Sequence, residues 1–171
     1  MKNNRILLTL FLCGAMLCLL TGCVFGKVYE KPDAFFRADN FGITLTDGFF
    51  EREYEGYHVC YESAEAAVFV VREEYSVFEA LGYDDISFEE YTDLVYEENN
   101  KSYPSTLRTV DGATVMTYEY TSDSRTYSYC SFICEGGGAF WIVSFMCEDD
   151  NYFVYEPYFY KWAESVKFYD E

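Results

Sequence analysis

The stretch TLRTVDGATVMTYEYTSDSRTYSYCSFICEGGGAFWIVSFMC, residues 106–147, consists of four runs of strand-forming residues separated by three turn signals. Val, Ile, Thr and aromatic residues dominate the runs 106–110, 113–120, 126–134 and 139–147, and these residue types favour β-strands. The intervening segments contain Asp-Gly, Ser-Asp-Ser-Arg and three consecutive glycines, which are typical of tight turns. We therefore predict a four-stranded antiparallel meander at the centre of the fold.

Alternation along these strands sorts the side chains onto two faces of the sheet. If the turn at residues 122–125 closes symmetrically, Tyr118 faces Tyr129 and Tyr120 faces Tyr127, so four tyrosines share one face. The opposite face is more apolar and is predicted to be the core face; it contains Val115, Cys130, Phe132, Trp141, Val143, Phe145 and Cys147.

The tyrosine-bearing face has two interpretations. In the first, Tyr118, Tyr120, Tyr127 and Tyr129 pack beneath helices with their hydroxyls at the rim, since aromatic cross-strand pairs commonly stabilise sheets. In the second, part of this face is an exposed stacking platform for a glycan or a peptide, because a tyrosine ring offers both apolar area and a hydroxyl. The sequence leaves both interpretations open.

Further strands and helices are predicted around the meander. Residues 43–46, 57–63 and 66–75 have strand character. Ser76 and Ser87 are each followed three residues later by Glu, which is the spacing of a capping box at the start of a helix. A last helix is predicted after the acidic loop, with one apolar stripe made of Tyr155, Tyr158, Phe159, Trp162 and Val166 and with Pro157 in its first turn or at a kink.

Residues 40–168 resemble the PsbP-like family in the order of their elements. The matching features are the strand 41–45 with its turn at 47–48, the paired helices after the third strand, the hairpin at 110–112 and the closing segment 165–168. The resemblance implies an α+β fold, an α/β/α sandwich with a central antiparallel sheet. The family includes assembly factors, accessory subunits and lipoproteins, and most members have no known chemistry. The resemblance therefore implies binding and assigns no site residue.

The first 23 residues have the pattern of a lipoprotein leader. Lys2 and Arg5 precede an uncharged, leucine-rich run over residues 6–20, which is shorter than the roughly 20 residues of a membrane span. The residues after this run resemble the lipobox of bacterial lipoproteins: Leu20, Thr21, Gly22 and Cys23. The resemblance implies that Cys23 receives a diacylglycerol thioether and becomes the mature N-terminus. The alternative is an uncleaved N-terminal helix.

We therefore predict three segments: a signal peptide over residues 1–22, a lipidated Cys and tether over residues 23–40, and a PsbP-like globular domain over residues 41–171. The tether after Cys23 contains equal numbers of acidic and basic residues, so the excess negative charge lies on the globular domain. An acidic domain on a neutral tether is expected to be held off an anionic bilayer.

Charge and histidine content exclude two classes of function. The chain has 30 Asp and Glu against 12 Lys and Arg, a formal net charge of -18, and nucleic-acid binding needs basic residues to neutralise phosphates. A single histidine, His58, excludes a multi-histidine metal centre. No cofactor and no metal are expected, and the expected partners are a membrane, through the lipid, and a protein.

The remaining cysteines are Cys60, Cys130, Cys134 and Cys147. Cys130 and Cys134 are four residues apart on one predicted strand, too far for a disulfide. A turn at Gly136 and Gly137 places Cys147 opposite Thr126, away from both. We therefore predict at most one disulfide, involving Cys60, and favour none.

Other candidate sites have simpler explanations. His58 and Cys60 lie two residues apart on one strand face, where side chains diverge, and no third group orients them as a nucleophile and base. The loop at 148–151 offers oxygen ligands but lacks the calcium-loop pattern of the EF-hand, so a solvated acidic turn is favoured over a calcium site. The glycines at 136–138 form a hairpin turn rather than a phosphate loop.

These observations lead to two main hypotheses for function, and a small envelope enzyme is a third and least favoured one. The first is a membrane-anchored extracytoplasmic lipoprotein of the cell envelope, not an enzyme, whose acidic domain binds or assists a protein partner. The second is a binding module for cell-wall glycan or peptide that uses Tyr118, Tyr120, Tyr127 and Tyr129.

The lipid anchor is directly testable. We expect the intact protein isolated from cells to lack residues 1–22 and to have a mass increased by acyl chains, because the lipobox directs processing at Cys23. Mass spectrometry of the membrane fraction measures this, with Cys23→Ser as the control that should acquire no lipid. A protein that retains Met1 and has no added mass would contradict the prediction.

Overall fold

A computed structural model describes residues 32–83 and 85–169. The strands in these residues are β1 (Asp33–Ala38), β2 (Phe41–Thr46), β3 (Phe50–Arg52), β4 (Val59–Glu62), β5 (Ala66–Glu74), β6 (Ser105–Val110), β7 (Ala113–Ser122), β8 (Arg125–Gly136), β9 (Ala139–Glu148) and β10 (Lys167–Phe168). The helices are α1 (Tyr75–Ala80), α2 (Phe88–Ser102) and α3 (Tyr152–Glu164), with a 3-10 turn (Asp149–Asn151) before α3. No helix among the described residues is long and apolar enough to cross a membrane.

A seven-stranded antiparallel sheet in the order β3-β4-β5-β9-β8-β7-β6 forms the centre of the fold. Strands β6 to β9 are consecutive neighbours, which confirms the predicted meander. Tyr118 pairs with Tyr129 and Tyr120 pairs with Tyr127, so the predicted register of β7 and β8 is also confirmed.

The turn between β8 and β9 lies one residue later than predicted. Gly137 and Gly138 form this turn, with φ angles of 56° and 71° that glycine adopts without strain. The prediction that Cys147 faces Thr126 is therefore wrong, and Cys147 lies opposite Ser128. Because the register shifts by two residues, every side chain keeps its predicted face.

A second sheet, in the order β1-β2-β10, contains residues that were predicted to be tether. β1 pairs with β2 along its whole length. Alternate side chains of β1 are half-buried, and the ring of Phe36 packs against Tyr61 of the large sheet at a centroid distance of 5.0 Å. The predicted boundary is therefore wrong for residues 33–38, which belong to the folded domain. The predicted leader and Cys23 lie outside the described residues.

The core face of the large sheet is covered by α3 and by the three-stranded sheet. All seven residues predicted for this face are buried. Phe159 of α3 stacks on Phe145 at 5.4 Å, and Trp162 meets Phe49 edge-on at 5.2 Å. Pro157 lies inside α3 rather than in its first turn.

The tyrosine-bearing face is partly covered by α1 and α2. α2 begins with the predicted capping box: the Glu90 N–H donates to Ser87 Oγ at 3.2 Å, and the Ser87 N–H donates to Glu90 Oε2 at 2.9 Å. One turn further, Tyr91 stacks on Phe140 of β9 at 4.1 Å. α1 begins one residue before Ser76 and has no side-chain cap, so the capping box predicted at Ser76 is wrong. Helices on both faces of the sheet confirm the α+β, α/β/α architecture.

The two serines make a matched pair for a stability measurement. Ser87→Ala should lower the free energy of unfolding by about 1 kcal/mol, because it leaves an orphan N–H at the start of α2. Ser76→Ala should change it by less than about 0.5 kcal/mol, because the exposed Ser76 caps no helix. Chemical denaturation measures both, and equal effects would contradict the assigned caps.

Candidate functional site

Tyrosine rings from neighbouring elements stack on one another. Tyr118 of β7 lies parallel to Tyr129 of β8, with centroids 4.8 Å apart and planes inclined by 6°. Tyr103, the C-cap residue that follows α2, stacks on Tyr118 at 5.6 Å, and Tyr120 meets Tyr103 edge-on at the same distance. The register of β7 and β8 fixes the first pair, and the end of α2 supplies the third ring.

The aromatic row continues toward the opposite edge of the sheet. Tyr57, in the loop before β4, packs on Phe69 of β5 at 5.2 Å, and Tyr54 approaches the same ring at 6.3 Å. Tyr57 lines the same groove as Tyr103 and Tyr118, which joins the two groups. We name the whole set the tyrosine face: Tyr54, Tyr57, Phe69, Tyr103, Tyr118, Tyr120, Tyr127 and Tyr129.

Sequence reasoning found only the part of the tyrosine face that lies on β7 and β8. Tyr54 and Tyr103 lie in a loop and at a helix end, where no alternation assigns them to a face. Tyr57, predicted as the first residue of a strand, lies in the loop before β4. Phe69 could have been assigned from the alternation along β5, once β5 is known to pair with β9. Phe69 lies opposite Ser144, which fixes its face.

A groove of about 510 Å³ runs between α2 and the large sheet. Val95 of α2 and Met116 of β7 are among its apolar residues, and the hydroxyls of Ser131 and Ser144 form a 2.8 Å hydrogen bond on the sheet side. This volume lies in the range of small-molecule and peptide sites. We name this space the tyrosine groove, because Tyr57, Tyr103 and Tyr118 all line it.

Burial keeps the hydroxyls at the centre of the tyrosine face neutral. Burial and the neighbouring Tyr129 raise the pKa of Tyr118, and burial raises the pKa of Tyr129 to about 12. These hydroxyls can form hydrogen bonds but cannot abstract a proton at neutral pH. Tyr118 and Tyr129 are half-buried, whereas Tyr57 is 44% and Tyr120 39% exposed. The face thus has a packed centre and accessible ends, and ligand binding by these tyrosines stays a prediction.

The four cysteines in the described residues are all free. Burial raises the pKa of Cys60 and Cys147 to about 11 and that of Cys130 and Cys134 to about 12. The thiolate is the nucleophilic and metal-binding form of cysteine, so these thiols react poorly at neutral pH.

His58 and Cys60 have the electrostatics of packed residues. The His58 ring meets Trp141 edge-on at 5.3 Å. Burial, followed by the charge of Arg72, lowers the pKa of His58, while burial raises the pKa of Cys60. A neutral imidazole beside a neutral thiol lacks the activated nucleophile of a catalytic pair.

The acidic loop before α3 uses its carboxylates within the protein. Glu148 forms an ion pair with Arg125 at 3.2 Å, and the Ser128 hydroxyl donates a hydrogen bond to Asp149. Within residues 32–83 and 85–169, no three His, Cys, Asp or Glu side chains come together as a metal site. The glycine turn joins β8 to β9 as a hairpin.

The arrangement of layers defines an α+β domain of PsbP-like fold. No family model and no curated protein matches the chain. Among solved structures, the chain is similar to cyanobacterial PsbP (CyanoP) from Synechocystis sp. PCC 6803, with a TM-score of 0.56 and 16% identity over 88% of this chain and 99% of that chain. It also resembles a protein from Bacteroides thetaiotaomicron VPI-5482, with a TM-score of 0.53 and 10% identity over 83% of this chain and 50% of that chain. At such low sequence identity, these structural similarities establish the fold alone.

The cysteine geometry predicts a thiol count and a reactivity. In the chain lacking residues 1–23, we expect four free thiols after denaturation without reductant, and much slower alkylation of the native protein at pH 8 because every pKa is raised. Mass spectrometry after timed iodoacetamide treatment measures both. Fewer than four thiols, or equally fast reaction in the native state, would contradict the buried, unpaired positions.

Proposed function

We propose that this protein is an extracytoplasmic lipoprotein, anchored through Cys23, whose folded domain binds a protein partner through the tyrosine face and performs no catalysis. The observation that supports this most strongly is the row of aromatic side chains with accessible ends. Tyrosine is enriched at protein interfaces because it buries a large apolar area and keeps a hydrogen-bonding hydroxyl.

The titratable groups support binding rather than catalysis. An enzyme commonly needs a group whose pKa is moved toward the working pH. In the described residues, burial raises the pKa of Cys60, Cys130, Cys134 and Cys147 away from neutrality. Burial also lowers the pKa of His58, whose ring packs on Trp141. None of these groups is prepared as a nucleophile or as a proton carrier.

The anchor is supported by sequence alone. The basic end, the apolar run and the lipobox at 20–23 together favour processing and lipid attachment. Two acyl chains give stable membrane attachment, since each buried methylene contributes about 0.8 kcal/mol. In this proposal, residues 24–31 link the lipidated Cys23 to the described domain, which begins at residue 32.

A second candidate function is recognition of cell-wall glycan or peptide. The exposed rings of Tyr57 and Tyr120 and the 510 Å³ groove favour it, because a sugar ring packs well on an accessible aromatic face. The same surface serves both candidates, so the bound molecule distinguishes them.

Capture from the host envelope tests the proposal. The bait is the soluble chain that lacks residues 1–22 and has Cys23→Ser. We expect one stoichiometric protein to be retained, and Tyr57→Ala combined with Tyr120→Ala to reduce its recovery at least about fivefold, because tyrosines are enriched among the few interface residues whose truncation costs about 2 kcal/mol or more. Mass spectrometry of the retained material measures this.

Tyr83→Ala is the matched control, because Tyr83 is 49% exposed but lies outside the tyrosine face. This variant should retain the partner at the original level. Retention of wall fragments in place of a protein would favour the second candidate. Retention that is unchanged in the Tyr57 and Tyr120 variant would remove the tyrosine face from the function.

A further inference from the structure

The tyrosine groove contains negative charge, although Glu98 pairs with Lys101 of α2 at 2.6 Å. Glu73 and Glu98 line it, and no Lys or Arg is among its described lining residues. Apolar and aromatic side chains form most of the remaining lining. A groove of this composition favours a ligand that combines apolar surface with positive charge.

Glu73 is held in a fixed position by a buried tyrosine. The Tyr91 hydroxyl donates a hydrogen bond to Glu73 Oε2 at 2.6 Å, and the Tyr91 ring is stacked on Phe140. Burial, followed by the hydrogen bond to Glu73, raises the pKa of Tyr91, so this hydroxyl remains a donor. Tyr91 and Glu98 are seven residues apart on α2, a rise of about 10 Å, so Glu73 and Glu98 mark two different positions along the groove.

The elements that surround the groove extend this negative charge. Residues 73–100, which include α1 and most of α2, contain ten Asp and Glu and no Lys or Arg, and Lys101 follows in the last turn of α2. The loop before β4, which supplies Tyr54 and Tyr57, also contains Glu53 and Glu55. Many described cations lie elsewhere and are paired: Arg108 with Glu156, Arg125 with Glu148, and Lys161 with Asp33.

We propose that the tyrosine groove binds a basic segment of the partner protein, with Lys or Arg side chains paired to Glu73 and Glu98 and their stems packed on the tyrosine rings. A cation over a tyrosine face gains a further electrostatic attraction. In a polyproline II conformation, side chains three residues apart lie on the same side of the chain and about 9 Å apart, so basic residues at this spacing can reach two positions along the groove. This inference rests on the proposed function and specifies the chemistry of the partner.

Charge complementarity selects this occupant over others. A second copy of this chain would bring another net charge of -18 to an acidic face and would be repelled. A neutral glycan would gain the ring contacts and hydrogen bonds from its hydroxyls to Glu73 and Glu98, but no charge pairing with them. A basic protein segment uses both the apolar groove and its carboxylates.

A defined peptide tests this chemistry. The probe is a fluorescein-labelled peptide of three Lys-Leu-Tyr repeats, titrated with the soluble chain and followed by fluorescence anisotropy. The control peptides replace every Lys by Ser or by Glu. We expect the Lys peptide to bind most tightly and its Kd to rise at least about fivefold between 50 and 500 mM salt, because salt screens the charge pairs. Equal binding of the Ser peptide would overturn the inference.

Isosteric variants test the two carboxylates. Glu73→Gln keeps an oxygen that accepts from Tyr91, and Glu98→Gln removes only an exposed pair with Lys101. Each should raise the Kd of the Lys peptide about three- to tenfold. Glu156→Gln is the matched control, because it removes the same charge and an ion pair with Arg108 outside the groove. An equal effect of Glu156→Gln would show that net charge alone governs binding.

Capture of the envelope partner separates this inference from the proposed function. If capture depends on Tyr57 and Tyr120 but is unchanged by Glu73→Gln and Glu98→Gln, the basic-segment inference is wrong and the proposed function stands. If no protein is retained and the Lys peptide does not bind, both fail. If a muropeptide or chitotetraose binds the tyrosine face in place of the peptide, the protein-segment inference is overturned.

Discussion

Strand β9 connects the two halves of this domain, because its alternating side chains pack into different layers. It lies between β5 and β8 in the large sheet. On one face, Trp141 and Phe145 pack with Phe168 and Phe159 of the layer formed by α3 and the small sheet. On the other face, Phe140 stacks on Tyr91 and thereby fixes the start of α2. The alternation of a single central strand therefore determines both the core and the position of the helix over the tyrosine face.

Local chemistry explains why the meander could be predicted and its last turn could not. Asp111 and Gly112 specify a single tight turn between β6 and β7. Between β8 and β9, by contrast, either Gly136 with Gly137 or Gly137 with Gly138 can form the turn. The resulting error of two residues preserved every face, because side chains repeat with a period of two. β1 was not predicted, although Asp39 and Asn40, which form the turn between β1 and β2, are residue types common in turns. Its pairing with β2 and the packing of Phe36 on Tyr61 are tertiary contacts that the pattern does not contain.

The sequence predicts only the part of the candidate site that lies on β7 and β8, because a single hairpin joins these two strands and fixes their register. Tyr118 and Tyr129 follow from the turn between them, but Tyr57 and Tyr103 reach the same groove from loops and helix ends. Tyr103 is placed by the length of α2, which the capping box at Ser87 starts and Tyr103 ends. The tyrosine groove is thus a product of three separate constraints: a hairpin register, a helix start and the order of strands in the sheet.

The placement of the negative charges in this chain distinguishes two roles that an acidic surface can have, namely solubility and the binding of a cationic ligand. A net negative charge spread evenly keeps a protein soluble and needs no particular placement. In this chain, residues 73–100 contain ten Asp and Glu and no Lys or Arg, and Glu73 and Glu98 among them line the groove. Lys101 pairs with Glu98, while Arg108, Arg125 and Lys161 pair with carboxylates away from the groove. Concentrated like charges raise the free energy of the folded state through mutual repulsion, which a cationic ligand would relieve. The proposed basic partner would therefore be attracted at long range and would also stabilise α1 and α2 on binding, so the same charges would contribute to association and to domain stability.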